Sequence, residues 1–467
     1  MSSSGLRHAQ RKMSEAGVDA TAIEVFSHYY RALEAGETGM MPEADIEPLP
    51  DPVHLDEVEV DDADARDALS RTVMIKLNGG LGTSMGMTRA KSLLPVREGK
   101  TFLDLIAEQV EAARERHDVA LPLVLMNSFR TRDDSLAALR AHPGLEVSGL
   151  PLDFLQSQEP KIRTDDLMPV SWPADESLEW CPPGHGDLYP ALLASGLLDT
   201  LLEQGYRYAS VSNADNLGAT PDARLAGWFA RSGAPFAMEV CRRTVADRKG
   251  GHLAVRRSDG QIVLREVAQT PDEDLDTFTD HDRHRWFNTN SLWFDLRALH
   301  TILTERKGVL GLPLIRNTKR VDPTDPDSPE VFQIETAMGA AIEVFPGATA
   351  IAVDRRRFRP VKTTGDLLLA RSDAYELVED GSLEAVRQVD PVVNLDDRFY
   401  KTIADFDARF PAGAPSLRAA DSLTVRGDWT FGAEVTCVGD AVLDEDRVPD
   451  AEPGQPHSLP AGTVIEG

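Results

Sequence analysis

The chain has 467 residues, 42% hydrophobic and 27% charged, which is room for two or three domains around a sizeable core and too apolar for wholesale disorder. Its 77 acidic and 49 basic residues give a net charge of −28, which repels polyanions and argues against nucleic acid or a membrane surface as the main partner. Cys181, Cys241 and Cys437 have no zinc or redox spacing, and neither a signal-like segment nor a membrane-length apolar run is present, so a cytoplasmic protein is expected.

In chain order, residues 8 to 36 read as one amphipathic helix, because Ile23, Phe26, Tyr30 and Leu33 recur at helical steps and Gly36 ends the pattern. From Glu43 to Asp67, eleven acidic residues accompany the single basic Arg66 amid prolines, which reads as a solvated connector. From residue 72 short apolar runs alternate with helical periodicity. Strands are expected at TVMIKLN, LPLVLMNS, YRYASVSN, PFAMEVCR, SLWFDL and ATAIAVD, and helices at TFLDLIAEQVEAARE, ALLASGLLDTLLEQ, ALHTILTERK and ETAMGAAIEVF. Such alternation is the pattern of an α/β domain built on a parallel sheet, here running to about residue 370 and leaving through a helix in TGDLLLARSDAYELV. After about residue 385, short β-branched pieces separated by Gly and Asp fit a small β-solenoid better than a hairpin cap.

Four stretches carry chemistry. The first strand runs into LNGGLGTSMGMTRAKS, where Gly79, Gly80, Gly82 and Gly86 leave backbone amides free to surround phosphate oxygens. A tight packing turn is the competing reading. Lys91, one of only ten lysines against 39 arginines, lies a turn beyond the loop and adds weight to the phosphate reading. In WCPPGHGDLYPAL two prolines and two glycines fix a bend that presents His185 and Asp187 just before a helix, with Gly184 and His185 read as binding residues.

In SVSNADNLGA an apolar strand ends in Asn213, Ala214, Asp215 and Asn216, at the carboxyl end where open α/β sheets bind ligands. Asp215 there suits Mg²⁺, which keeps few protein ligands, while an Asx turn is the alternative. The last set is Asn288 and Asn290 in FNTNSLWF, whose amides suit sugar hydroxyls, and Lys362 between a strand and a helix. The run DRRRF at 354–358 reads as structural or surface. Neither a nucleophile elbow nor a Cys–His pair is visible, so covalent catalysis is not expected and phosphate positioning is.

The strings KLNGGLGTSMG with Lys91, LMNSF, PPGHGD, VSNADNLGA, KGGHL, FNTNSLW, IETAMGAA and PVKTTGDLLL, in that order over about residues 70–380, closely resemble the eukaryotic-type UDP-glucose pyrophosphorylases. The resemblance implies an N-terminal helical part with the acidic connector (1–70), a Rossmann-like, GT-A-like nucleotidyltransferase domain (71–380) and a C-terminal left-handed parallel β-helix (381–467). It implies that UTP and glucose 1-phosphate are the substrates and Mg²⁺ the cofactor. Leu77, Asn78, Gly79 and Gly80 resemble the loop that holds UTP, Gln156 the residue that reads uracil, and Gly184 its neighbour. His185, Asn213, Ala214, Asp215 and Asn290 resemble positions that contact the sugar phosphate. Lys91 and Lys362 resemble the two phosphate-contacting lysines, and Asp215 the metal carboxylate.

The chain departs from the family pattern at MTRAKS and at Gln158–Glu159, which bear on details of the loop and the uracil pocket. A related pyrophosphorylase for another sugar phosphate and a non-catalytic UDP-sugar sensor are the alternatives. The solenoid could pair copies of the chain, and the sequence does not fix the oligomeric state.

Overall fold

The computed structural model describes residues 2–244, 247–248, 250–447 and 457–467; Lys249 of the KGGHL string lies outside them. At its centre is a mixed sheet whose main path, numbered here in chain order, comprises β1 (Val53–His54), β2 (Thr72–Asn78), β3 (Leu123–Asn127), β4 (Asp153–Leu155), β5 (Tyr208–Asn213), β6 (Phe236–Arg242), β7 (Trp286–Asp295) and β8 (Thr349–Ala352). The spatial order is β1-β8-β6-β7-β5-β2-β3-β4. Strands β5, β2, β3 and β4 are mutually parallel, as expected. The sheet is not parallel throughout, because β7 runs antiparallel to both β5 and β6. Strand direction is set by the connections, which apolar patterning does not report.

Helices cover both faces of this sheet. The helix Phe102–His117 starts at a capping box in which Thr101 and Asp104 satisfy each other's backbone amides, and it buries Phe102, Leu105, Ile106 and Val110. At about 1.5–3 kcal/mol for each fully buried large apolar side chain, such faces dominate the folding energy. The continuous helix read in ALLASGLLDTLLEQ is two, Leu188–Ala194 and Leu197–Glu203, because Gly196 at φ 72° breaks it. The segment ETAMGAAIEVF forms a short 3₁₀ stretch, Met338–Glu343, packed in the core, and not an α-helix.

The N-terminal region also corrects the sequence reading. Two helices, Ser2–Glu15 and Ala20–Glu34, replace the single one, because Gly17 turns the chain at φ 73° and Asp19 caps the second helix through the Thr21 amide. They pack Phe26, Tyr30 and Leu33 against Ile162, Leu314 and Ile334. The acidic connector is ordered: Ile46–Pro48 pairs with the strand His252–Arg256, β1 pairs with β8, and Asp62–Ser70 is a helix. Local charge counts do not reveal those long-range partners.

Beyond the exit helix Thr364–Arg371, the strands Val392–Leu395, Ser416–Arg426, Thr436–Asp444 and Val464–Glu466 stack in parallel, as do Trp429–Phe431 and His457–Leu459. Parallel rungs with Leu417, Leu423, Phe431, Val435 and Ala441 turned inward make this a solenoid, in line with the expectation. Its interior is continuous with the core beneath the central sheet. Among the described residues no helix is long and apolar enough to cross a membrane.

Candidate active site

The register of the central sheet assembles the site. In parallel neighbours Asn213 stands opposite Leu77, Asn78 opposite Asn127, and Asn127 opposite Leu155, so four strands end along one edge and their loops emerge together. Main-chain bonds then tie those loops: Ala214 N–H donates to the Leu77 carbonyl at 3.1 Å, Lys91 N–H to Gly80 at 3.0 Å, and Gln156 N–H to Asn127 at 2.8 Å. The result is a cavity of 330 Å³ lined by Leu77, Asn78, Gly79, Gly80, Lys91, Gln156, Gly184, His185, Asn213, Ala214 and Asp215, with Ser92, Met126 and Pro182 completing the wall. A larger cleft of 570 Å³ lies on the far side of Gln156, but it contains neither lysine nor Asp215.

Two glycines are required by close approach. A Cβ on Gly79 would sit 2.9 Å from Gln156 Oε1, so the Gln156 amide lies directly over the loop backbone. Gly184, at φ 79°, passes Thr336 so tightly that a Cβ would meet its carbonyl at 2.6 Å. Asn78 contributes backbone rather than side chain, since its Nδ2 donates inward to Asn127 Oδ1 at 2.7 Å and Ser135 Oγ at 2.8 Å.

The electrostatics are concentrated at Asp215. Its Oδ2 accepts from Lys91 Nζ at 2.7 Å, both side chains being largely buried, while its buried Oδ1 has no hydrogen-bond partner. Below it, Lys76 is fully buried and donates to Ser212 Oγ and the Ala219 carbonyl, both at 2.8 Å, which pins the two ends of the loop carrying Asp215. Burial, reinforced by Arg357, pushes the Lys76 ammonium down to about 7. The walls around His185 lower its imidazole from the ordinary 6.5, although the ring itself is exposed along the cavity. Its Nδ1 accepts from the Met338 amide at 3.0 Å, which assigns the proton to Nε2.

Comparison with known proteins decides the family. The model of the UTP–glucose-1-phosphate uridylyltransferase family matches residues 23–437. The chain belongs to this family. Similar to it are the UTP–glucose-1-phosphate uridylyltransferases of Hordeum vulgare, 41% identical over 87% of this chain and 83% of that protein, and of Saccharomyces cerevisiae, 40% identical over 85% and 77%. Among solved structures, one named UDP-glucose phosphorylase from Trypanosoma brucei aligns at TM-score 0.90 and 42% identity, covering 99% of this chain and 98% of that one. The Leishmania major UDP-glucose pyrophosphorylase, solved in open and closed forms, aligns at TM-score 0.91 and 41% identity with the same coverage.

Two residues singled out from the family motifs stand outside the cavity lining. Lys362 is exposed at the start of the helix Thr364–Arg371, tethered where Val361 N–H donates to the Asp215 carbonyl at 3.1 Å. Asn290 sits at φ 57° in β7, where the register with β6 shifts between Glu239 and Val240; it is presented by a bulge, and its Oδ1 accepts from Asn288 Nδ2 at 2.8 Å.

Glu266, beside the site, is not apparent from the sequence, whereas Asp187 is already marked by the glycine bend. Glu266 follows the strand Ile262–Arg265 and lies so close to Gly251 that a Cβ there would be 2.5 Å from its carboxyl; burial raises that carboxyl and the Lys362 charge lowers it. The available signal was an acidic residue just past a β-branched run. Asp187 ties two walls together by accepting the Ser157 N–H at 2.5 Å, and burial pushes it up to about 7. Of the departures from the family pattern, Gln158 lines the larger cleft and Glu159 is buried, its carboxyl driven well up by desolvation and by Asp187 and Glu335. The DRRRF run is structural, as expected: Arg357 bonds Glu239 at 2.7 Å and Arg355 bonds Asp247 at 2.6 Å.

Proposed function

We propose that the protein joins UTP and glucose 1-phosphate into UDP-glucose and pyrophosphate, acting as a UTP:glucose-1-phosphate uridylyltransferase. The observation that carries this reading is the 330 Å³ cavity in which a glycine loop, Gln156, His185 and the Lys91–Asp215 pair converge at one sheet edge, in a chain of this family. The backbone of Leu77–Gly80 surrounds phosphate oxygens, Gln156 reads the uracil edge beside Gly184, and His185, Asn213, Ala214, Asp215 and Asn290 hold the sugar phosphate. Glu266, half-buried opposite Lys362, completes the sugar-phosphate wall.

A phosphate oxygen of glucose 1-phosphate attacks the α-phosphorus of UTP in line, the bond from that phosphorus to the bridging oxygen breaks, and pyrophosphate leaves. The nucleophile is already anionic near neutral pH, so no side chain must remove a proton. His185, neutral and donating from Nε2, orients without titrating. Lys91 and Lys362 neutralise charge on the transferring and leaving phosphates. The unpartnered, buried Oδ1 of Asp215 fits a Mg²⁺ ion, which takes one or two carboxylates and completes its shell with phosphate and water. When bound, Mg²⁺ supplies further charge neutralisation on the phosphates. Among the described residues no cluster of three His, Cys, Asp or Glu side chains forms a protein-only metal site, which agrees with a single carboxylate ligand.

The division at about residues 70 and 380 into a helical part, a GT-A-like catalytic domain and a left-handed β-helix is part of the same reading, as are a cytoplasmic setting and self-association through the β-helix. The test is pyrophosphate release with Mg²⁺, comparing UTP with TTP, ATP and GTP, and glucose 1-phosphate with the N-acetylglucosamine and galactose 1-phosphates. Release confined to UTP with glucose 1-phosphate is expected. Tight UDP-glucose binding without release from any pair would make the protein a sensor and overturn the reading.

A further inference from the structure

The acidic connector begins in a charge cluster beside the sugar-phosphate wall. Glu43 Oε2 accepts from Arg265 Nη1 at 2.7 Å, and Oε1 accepts from Arg283 Nε at 2.8 Å and lies 3.1 Å from His284 Nε2. The Glu43 amide donates to Asp274 Oδ2 at 2.7 Å, which also accepts from Arg265 Nη2 at 3.0 Å. Arg265 is 0% exposed, and among the described residues its ion pairs are with Glu43 and Asp274. His284 stacks on buried His252 at 3.8 Å, in the strand that follows Gly251. Two residues upstream of Glu43, Met41 N–H donates to the Gln269 carbonyl at 2.7 Å, and the Gln269 side chain in turn accepts the Glu266 N–H at 3.0 Å. The connector therefore grips both flanks of Glu266, through Arg265 before it and Gln269 after it.

We infer that Glu43 is a positioning residue for the sugar-phosphate half of the site: by fixing Arg265 it sets where the Glu266 carboxylate stands relative to Lys362 and Gly251. This rests on the functional reading above. A residue that merely held the fold together would weaken UDP and UDP-glucose binding alike, whereas a positioning role for Glu266 acts through the glucosyl group, which UDP lacks.

The experiment compares calorimetric binding of UDP and of UDP-glucose, with steady-state KM values for UTP and glucose 1-phosphate, in the parent, Glu43→Gln, Glu266→Gln and the double variant. Glu43→Gln is expected to weaken UDP-glucose and raise the glucose 1-phosphate KM by about tenfold, the scale of one disturbed buried hydrogen-bonded contact, with UDP and UTP changed less than about twofold. The double variant is expected to be no worse than Glu266→Gln alone, because the two act through one contact. Glu43→Asp, which keeps the charge, gives a smaller loss of the same selectivity and serves where Glu43→Gln does not fold. Equal losses for UDP and UDP-glucose, no loss for either, or additive effects in the double variant would overturn the inference. A parent protein that binds UDP-glucose no better than UDP and releases no pyrophosphate would instead overturn the functional reading.

Discussion

Lys91 Nζ and Asp215 Oδ2 lie 2.7 Å apart at the floor of the cavity, each shielded from solvent by the loops that meet there. The lysine neutralises a carboxylate whose other oxygen, buried, has no hydrogen-bond partner. On the proposed reading, Asp215 would hold a Mg²⁺ ion through its free oxygen and Lys91 would serve a phosphate, each group offsetting charge that the other leaves. Lys91→Met is expected to lower kcat by about two to three orders of magnitude, the loss of one preorganised electrostatic contact. Initial rates of pyrophosphate release at saturating substrates check this, and a loss under fivefold would remove Lys91 from the reaction.

Lys362 is expected to divide its effect differently. It stands outside the cavity at a helix start, held to the Asp215 loop by one main-chain bond. Lys362→Ala should reduce turnover far more than it weakens UTP binding, because an exposed side chain contributes chiefly when the reacting phosphates draw it in. Equal turnover in variant and parent would refute the assignment.

Gly79→Ala places a methyl group 2.9 Å from Gln156 Oε1, and either the loop or the glutamine must shift. The expected outcome is a higher KM for UTP, with discrimination between UTP and other nucleoside triphosphates reduced. Unchanged base selectivity would show that Gln156 does not read the base.

Asp187 and His185, two residues apart, give opposite pH dependence. Burial raises Asp187 to about 7 from an ordinary value of 3.8, so the native state holds that proton longer, and this contribution to stability is lost as pH rises through about 7. His185 is depressed from 6.5, but its imidazole is exposed at the cavity, so its opposite contribution, lost as pH falls, is small. Asp187→Asn removes the first effect and leaves the second. Relative to the parent, its thermal midpoint should climb as pH rises from 4 to 7; a parallel pair of curves would mean that Asp187 ionises normally.

Beneath the site, Glu239 accepts from Arg357 at 2.7 Å and from Trp293 Nε1 at 3.0 Å in a fully buried setting. Glu239→Ala leaves the guanidinium with Asp222 at 3.6 Å and the Thr220 carbonyl at 3.3 Å, and is expected to cost about 3 kcal/mol of stability in chemical denaturation. A cost below about 1 kcal/mol would show that water replaces the carboxylate.

What could be read from sequence follows physical range. Leu77–Gly80, Asn213–Asp215 and the Gly184–His185 bend were legible because each is a local device: glycine or polar residues directly after an apolar strand mark a sheet edge whatever the rest of the chain does. Gly17 was overlooked as a break because apolar spacing on either side of it stays in helical phase, and only its left-handed φ ends the helix. The direction of β7 and the bulge at Asn290 depend on neighbours far away in the chain. Glu43 read as one of eleven solvated acids, since nothing nearby announces that Arg265, Arg283 and His284 surround it.

The pairing of Val53–His54 with Thr349–Ala352 bears on how the chain avoids self-assembly. That short segment is a cover strip over Thr-Ala-Ile-Ala, an outer row whose Ala350, Ile351 and Ala352 are otherwise buried. Stripped of its first seventy residues, the protein would present a bare β-edge flanked by apolar side chains, the template on which copies zip together. The N-terminal region thus shields a sheet edge, and a version shortened for expression is expected to aggregate through it.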